Sequence, residues 1–85
     1  MDKKRILELR GKAQSIKATV NVGKDGVTDE VVEELVRQLK KKKLVKARLL
    51  QSVDKERGAA GQDLASRTDS TLVEVRGRTV VLAID

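Results

Sequence analysis

The sequence has 85 residues, a formal net charge of +6, and no Pro, Cys, His, Phe, Tyr or Trp. That length fits one small domain over residues 1–85, with a core built from Val, Leu, Ile and Ala. The missing residue types exclude disulfides, thiolate nucleophiles, Cys- or His-based zinc sites and a histidine general base.

Residues 2–13 read as a helix, with Ile6, Leu9 and Ala13 on one side, Leu7 beside them and Gly11 weakening the end. Residues 18–22 alternate, Ala18, Val20 and Val22 on one face and Thr19 and Asn21 on the other, as a short strand does. Gly23, Lys24, Asp25 and Gly26 break the chain. Thr28 is a plausible N-cap, followed by Asp29 and Glu30 in a first turn. Val31, Val32, Leu35, Val36 and Leu39 then keep helical spacing to a lysine run at residues 40–43.

Val45, Ala47 and Leu49 alternate with Lys46 and Arg48 as a second strand. Two strands joined through a helix imply a parallel pair. Residues 55–67 form a weaker, alanine-rich helix interrupted by Gly58 and Gly61, with Leu64 as its one large apolar residue. Residues 71–76 and 79–84 flank Gly77 as an antiparallel hairpin. The order αβαβαββ predicts an α/β fold: a compact mixed four-stranded sheet with packed helices.

The charge is blocked along the chain. Residues 1–17 carry +4, residues 18–36 carry −4, residues 37–48 carry +7 and the last 37 residues carry −1. Two concentrated basic blocks suit an anionic polymer better than a diffuse basic surface would. The apolar runs are too short for the ~20 residues a membrane-spanning helix needs. The start, Met1, Asp2, Lys3, Lys4, Arg5, leads into a charged helix rather than a signal-peptide core. The expectation is a cytoplasmic protein with no membrane partner.

The 23–26 loop is the motif that carries most chemistry. Its two glycines let the backbone turn sharply and approach a ligand without a Cβ in the way. Backbone N–H groups beside a helix N-terminus can hold a phosphate, and Lys24 adds a mobile point charge. KH domains clamp an RNA backbone with a GxxG loop of this kind. The same four residues also make an ordinary turn, and Asp25, Asp29 and Glu30 would repel phosphate at the helix start. Phosphate at this loop therefore belongs on the Lys24 side.

Leu9-Arg10-Gly11-Lys12-Ala13, Ile16-Lys17, Val20-Asn21-Val22-Gly23-Lys24-Asp25-Gly26-Val27-Thr28, Leu44-Val45-Lys46-Ala47 and Gly77-Arg78-Thr79-Val80-Val81-Leu82 together resemble the CRM domain. This is the chloroplast RNA splicing and ribosome maturation domain, YhbY in bacteria, and the resemblance runs over nearly the whole chain. It implies a fold similar to the C-terminal domain of bacterial translation initiation factor three. It also implies RNA binding through the GxxG loop and nearby basic surface, in single-domain members that associate with large-subunit ribosomal precursors.

Gly23, Lys24 and Gly26 match the family's loop, and Arg10 and Lys12 its basic first-helix end. The family's His-Pro near Gln14 and Ser15, its Pro near Thr19, and its closing Leu-Tyr-Arg, here Leu82-Ala83-Ile84, are absent. The pattern otherwise looks like a compact standalone member of archaeal kind.

The expected RNA contacts are Gly23, Lys24, Asp25, Gly26, Arg10, Lys12, Lys17, Lys40, Lys43 and Lys46. Arg76 and Arg78 bracket the hairpin turn, where ordinary solvation also accounts for them. The partner expected is RNA, ribosomal or in a pre-ribosomal particle, bound by a monomer without cofactor, metal or small-molecule substrate. Without aromatic platforms, binding has to rest on phosphate contacts, arginine planes and backbone groups. No carboxylate pair reads as a catalytic dyad, so no enzyme is expected. The alternative is a small adaptor whose basic patches meet an acidic protein.

Overall fold

A computed structural model describes residues 1–23, 25–50 and 57–85. The elements run α1 (Lys3–Ala13), β1 (Val20–Val22), α2 (Asp29–Lys42), β2 (Leu44–Leu49), α3 (Arg57–Arg67), β3 (Thr71–Arg76) and β4 (Thr79–Ala83). This is the αβαβαββ order that periodicity predicts. The four strands form one mixed sheet in the order β1-β2-β4-β3. β1 runs parallel to β2, while β4 is antiparallel to both β2 and β3.

Local sequence explains the helix ends. The Asp2 carboxylate accepts from the Arg5 N–H at 2.8 Å and caps α1. Thr28 caps α2 by accepting from the Val31 N–H, with Asp29 and Glu30 complementing the positive end of the helix dipole. Lys40, Lys41 and Lys42 fill the last turn, and Lys43 stops the helix in the left-handed region at φ 68°. The Lys43 carbonyl then accepts from the Ile84 N–H at 2.9 Å, so α2 is tied to the start of β2 and the end of β4.

The sheet has two different faces. On one, α2 and α3 bury Leu35, Leu39, Leu64 and Ala65 against Val20, Val22, Val45, Ala47, Leu49, Val80 and Leu82. Gly61 lets α3 come close: a Cβ there would lie 3.1 Å from a Val75 methyl and 3.2 Å from a Leu72 methyl. On the other face, α1 buries Leu9 and Ala13 against Val73, Val81 and Ala83, with Ile6 and Leu44 beside them. A register shift between Leu72 and Glu74 marks a β-bulge and brings Val73 into that second core. Burying Leu9 and Ala13 turns the neighbouring Leu7 outward, and it is 53% exposed.

The first strand is shorter than the predicted 18–22. Thr19 still donates its N–H to the Lys46 carbonyl at 2.9 Å, and its hydroxyl bonds Gln38. The third predicted helix, 55–67, is described from Arg57 onward, and residues 55 and 56 lie outside the described residues.

Candidate nucleic-acid interface

β1 and β2 run side by side, so both finish at the same end of the sheet, and the 23–26 loop follows there. Val22 is level with Leu49, and the Leu50 N–H donates to the Val22 carbonyl at 2.8 Å. The β3–β4 turn arrives at this end too. Arg48 is level with Thr79, Thr79 is level with Arg76, and the Leu49 N–H donates to the Arg78 carbonyl at 2.7 Å. The loop itself closes through the Gly26 N–H, which donates to the Gly23 carbonyl at 3.0 Å. Gly26 has φ +74°, a conformation that costs an L-residue about 1–2 kcal/mol. Arg67, at the end of α3, donates to the Val27 carbonyl at 3.2 Å and holds the segment leaving the loop. Lys24 lies outside the described residues.

The expected contact residues separate into three groups. Gly23, Asp25, Gly26 and Lys17 belong to the loop end, with Gly23, Asp25 and Lys17 exposed. Lys17 joins Ile16, Asn21, Lys46, Arg48 and Thr79 in a groove of about 430 Å³. Arg10 and Lys46 are built into the scaffold. The Arg10 Nε donates to the Val73 carbonyl at 3.1 Å, at the bulge. The Lys46 ammonium donates to the Ala13 and Ile16 carbonyls at 3.0 and 3.3 Å, satisfying backbone at the end of α1. Lys12 and Lys43 line a second groove, of about 500 Å³, with Arg5, Ser15, Lys42 and Leu44. Lys40 is exposed on the last turn of α2. The 14 residues of that helix put its lysine end about 20 Å from Asp29 and the loop.

Arg48 is not among the contacts expected from the sequence, and ordinary turn solvation accounts there for Arg76 and Arg78. The sheet sets all three at the loop end, and all are exposed. Among the described residues no hydrogen bond or ion pair engages the Arg48 or Arg76 guanidinium. Alternation within residues 45–49 did mark Arg48 as facing away from the α2 core. Its alignment with residues 21, 79 and 76 depends on strand order, which has no local signal.

The family model of the CRS1/YhbY (CRM) domain matches residues 1–83. The chain belongs to the CRM family. Within reach of this CRM chain is "Probable RNA-binding protein YqeI" of Bacillus subtilis (strain 168). The two are 31% identical over 74 residues, which is 87% of this chain and 77% of YqeI. The CRM fold here also superposes on the solution structure of SAV1595 from Staphylococcus aureus, a protein for which RNA binding has been proposed. The TM-score is 0.90 and the identity 25%, over 100% of this chain and 88% of SAV1595. Both relatives are bacterial, so neither speaks for the archaeal kinship suggested by the sequence.

The family and these relatives support RNA binding as the activity of the chain. Among the described residues, no helix is long and apolar enough to cross a membrane.

Proposed function

We propose that this CRM chain is a non-catalytic module that binds ribosomal RNA or a large-subunit precursor during ribosome assembly. In this reading the 23–26 loop contacts the RNA backbone, and surrounding basic side chains supply most of the affinity. The observation that carries it is the gathering of the glycine loop, Arg48 and the Arg76–Arg78 turn at one sheet end, in a chain matched to the CRM domain over residues 1–83. The module acts as a cytoplasmic monomer and needs no cofactor, metal or small-molecule substrate.

The test is fluorescence anisotropy of labelled large-subunit rRNA fragments over a salt series, comparing wild type with Lys24→Asp. The expected result is a steep loss of affinity with salt, log K falling by about 0.7 for each single-strand phosphate neutralised. Lys24→Asp should remove most of that affinity. Equal binding by both proteins would reduce the loop to a turn. Tighter binding of an acidic protein than of any RNA would establish the adaptor instead.

A further inference from the structure

The loop has two electrostatically opposite flanks. Asp29 and Glu30 open α2, which packs on the face that buries Leu35 and Leu39. Approach from that side meets carboxylates, and Asp25 is exposed in the loop itself. The opposite face is covered by α1 only over its far half, where Val73, Val81 and Ala83 are buried. Beyond Ala13 no helix among the described residues covers this face of the sheet.

The open part carries a cross-strand row. Asn21 is level with Arg48, Arg48 with Thr79 and Thr79 with Arg76, so one side chain from each strand lies on a single line. Three interstrand spacings make that row about 14 Å long. Two adjoining grooves follow the line. One is lined by Lys17, Asn21, Lys46, Arg48 and Thr79; the other, of about 310 Å³, by Gln14, Lys46, Glu74, Arg76 and Thr79. They share Lys46 and Thr79, and Glu74 is the one acid among their lining residues. Asn21 ends the row one residue before Val22, from which the chain enters the loop.

We infer that RNA runs from the 23–26 loop onto this open sheet face, away from the α2 side. This rests on the RNA-binding reading and adds the path of the strand. Lys17, Arg48 and Arg76 hold backbone phosphates along it. Asn21 and Thr79 offer an amide and a hydroxyl to the sugar and base edges between those phosphates. Lys46 supports the path by fixing the end of α1 and so keeping the groove open.

The experiment uses the full chain and a labelled oligouridylate in a salt series. Arg48→Gln/Arg76→Gln is compared with Lys41→Gln/Lys42→Gln, which removes the same charge at the far end. Far-ultraviolet circular dichroism checks that each variant is folded. The sheet-face pair should lower affinity about tenfold or more at low salt and reduce the salt slope by about 1.4. The far-end pair should change affinity less than about threefold, as expected of a general charge effect. Amide shifts on adding the oligonucleotide should concentrate at residues 17–21, 46–48 and 76–79.

Equal losses in the two pairs, or shifts confined to residues 39–44, would overturn the path. Loss with Lys24→Asp and none with the sheet-face pair would keep the loop reading and sink the path alone. Failure of wild type to bind any RNA, with binding of polyglutamate, would end both.

Discussion

The two ends of the sheet carry basic residues in different states. At the loop end, Lys17, Arg48, Arg76 and Arg78 are exposed beside a shallow groove, with Asn21 and Thr79 between them. At the other end, Lys40, Lys41 and Lys42 occupy the last turn of α2. The peptide dipoles there already attract positive charge, and no acid is needed to explain the lysines. The densest basic run in the sequence is thus accounted for by the helix it ends. Arg76 and Arg78, which a count of charge along the chain passes over, and Arg48, the last residue of the 37–48 block, have no such helix-end role. Charge density along a sequence and availability of charge on a surface are separate quantities, and here they point to opposite ends.

Lys46 and Arg48 give the sharpest local version of this contrast. They lie two apart on β2 and face the same side, yet only the Lys46 ammonium is bonded to backbone carbonyls. Hydrogen bonds from a charged donor contribute about 1.5–3 kcal/mol. Lys46→Met is therefore expected to destabilise the fold by about 2 kcal/mol, a fall in Tm on the order of 10 °C for a domain this size. Arg48→Met should leave stability within about 0.5 kcal/mol while weakening RNA binding. Thermal melts and RNA titrations on the same two variants measure both quantities. A stable Lys46→Met that loses RNA, beside an unstable Arg48→Met, would reverse the assignment.

Much of this fold could be read from the chain, because the signals were local. Thr28 announces the start of α2 through a short-range cap, and the alternation of residues 45–49 fixes which side chains of β2 face the core. The hairpin follows from two strand-like runs flanking Gly77, which the structure sets at φ +57°. What could not be read is what neighbours contribute. Lys46 and Arg10 look like any surface cations until α1 and the bulge at Val73 are brought against them. Gly61 reads as a weak point in a helix, whereas it marks the close approach of α3 to Leu72 and Val75. Helix α1 shows an apolar side in sequence, but nothing there says that it packs only over Val73, Val81 and Ala83 on that face. The glycine loop was visible at once, and the surface that continues from it was not.

The two glycines of the loop allow a finer division. Gly26 sits at φ +74°, whereas Gly23 has no positive φ and nothing within 4 Å of where a Cβ would stand. Gly26→Ala is expected to cost about 1–2 kcal/mol of loop stability through its left-handed backbone. Gly23→Ala should leave the melting curve nearly unchanged. Its effect belongs to binding, because a methyl group there would keep a phosphate from the backbone. Calorimetric unfolding with parallel RNA titrations separates the two. If Gly23→Ala leaves both quantities untouched, the loop is a turn and the contact surface begins at Asn21.

The smallest effect is expected at the lysine end. In Lys41→Gln/Lys42→Gln, two favourable interactions with the α2 dipole are lost, each about 0.3–1 kcal/mol at low ionic strength and exposed positions. The Debye length shrinks from ~10 Å at 0.1 M salt to ~3 Å at 1 M, so the loss should fade as salt is raised. A small destabilisation at low salt that disappears at high salt is therefore the signature of lysines that stabilise a helix end. Their general attraction for RNA should fade over the same range. If stability is instead unchanged at low salt while RNA affinity collapses, the dipole account of these lysines fails. The groove beside Arg5, Lys12, Lys42 and Lys43 would then become the stronger candidate for the RNA path.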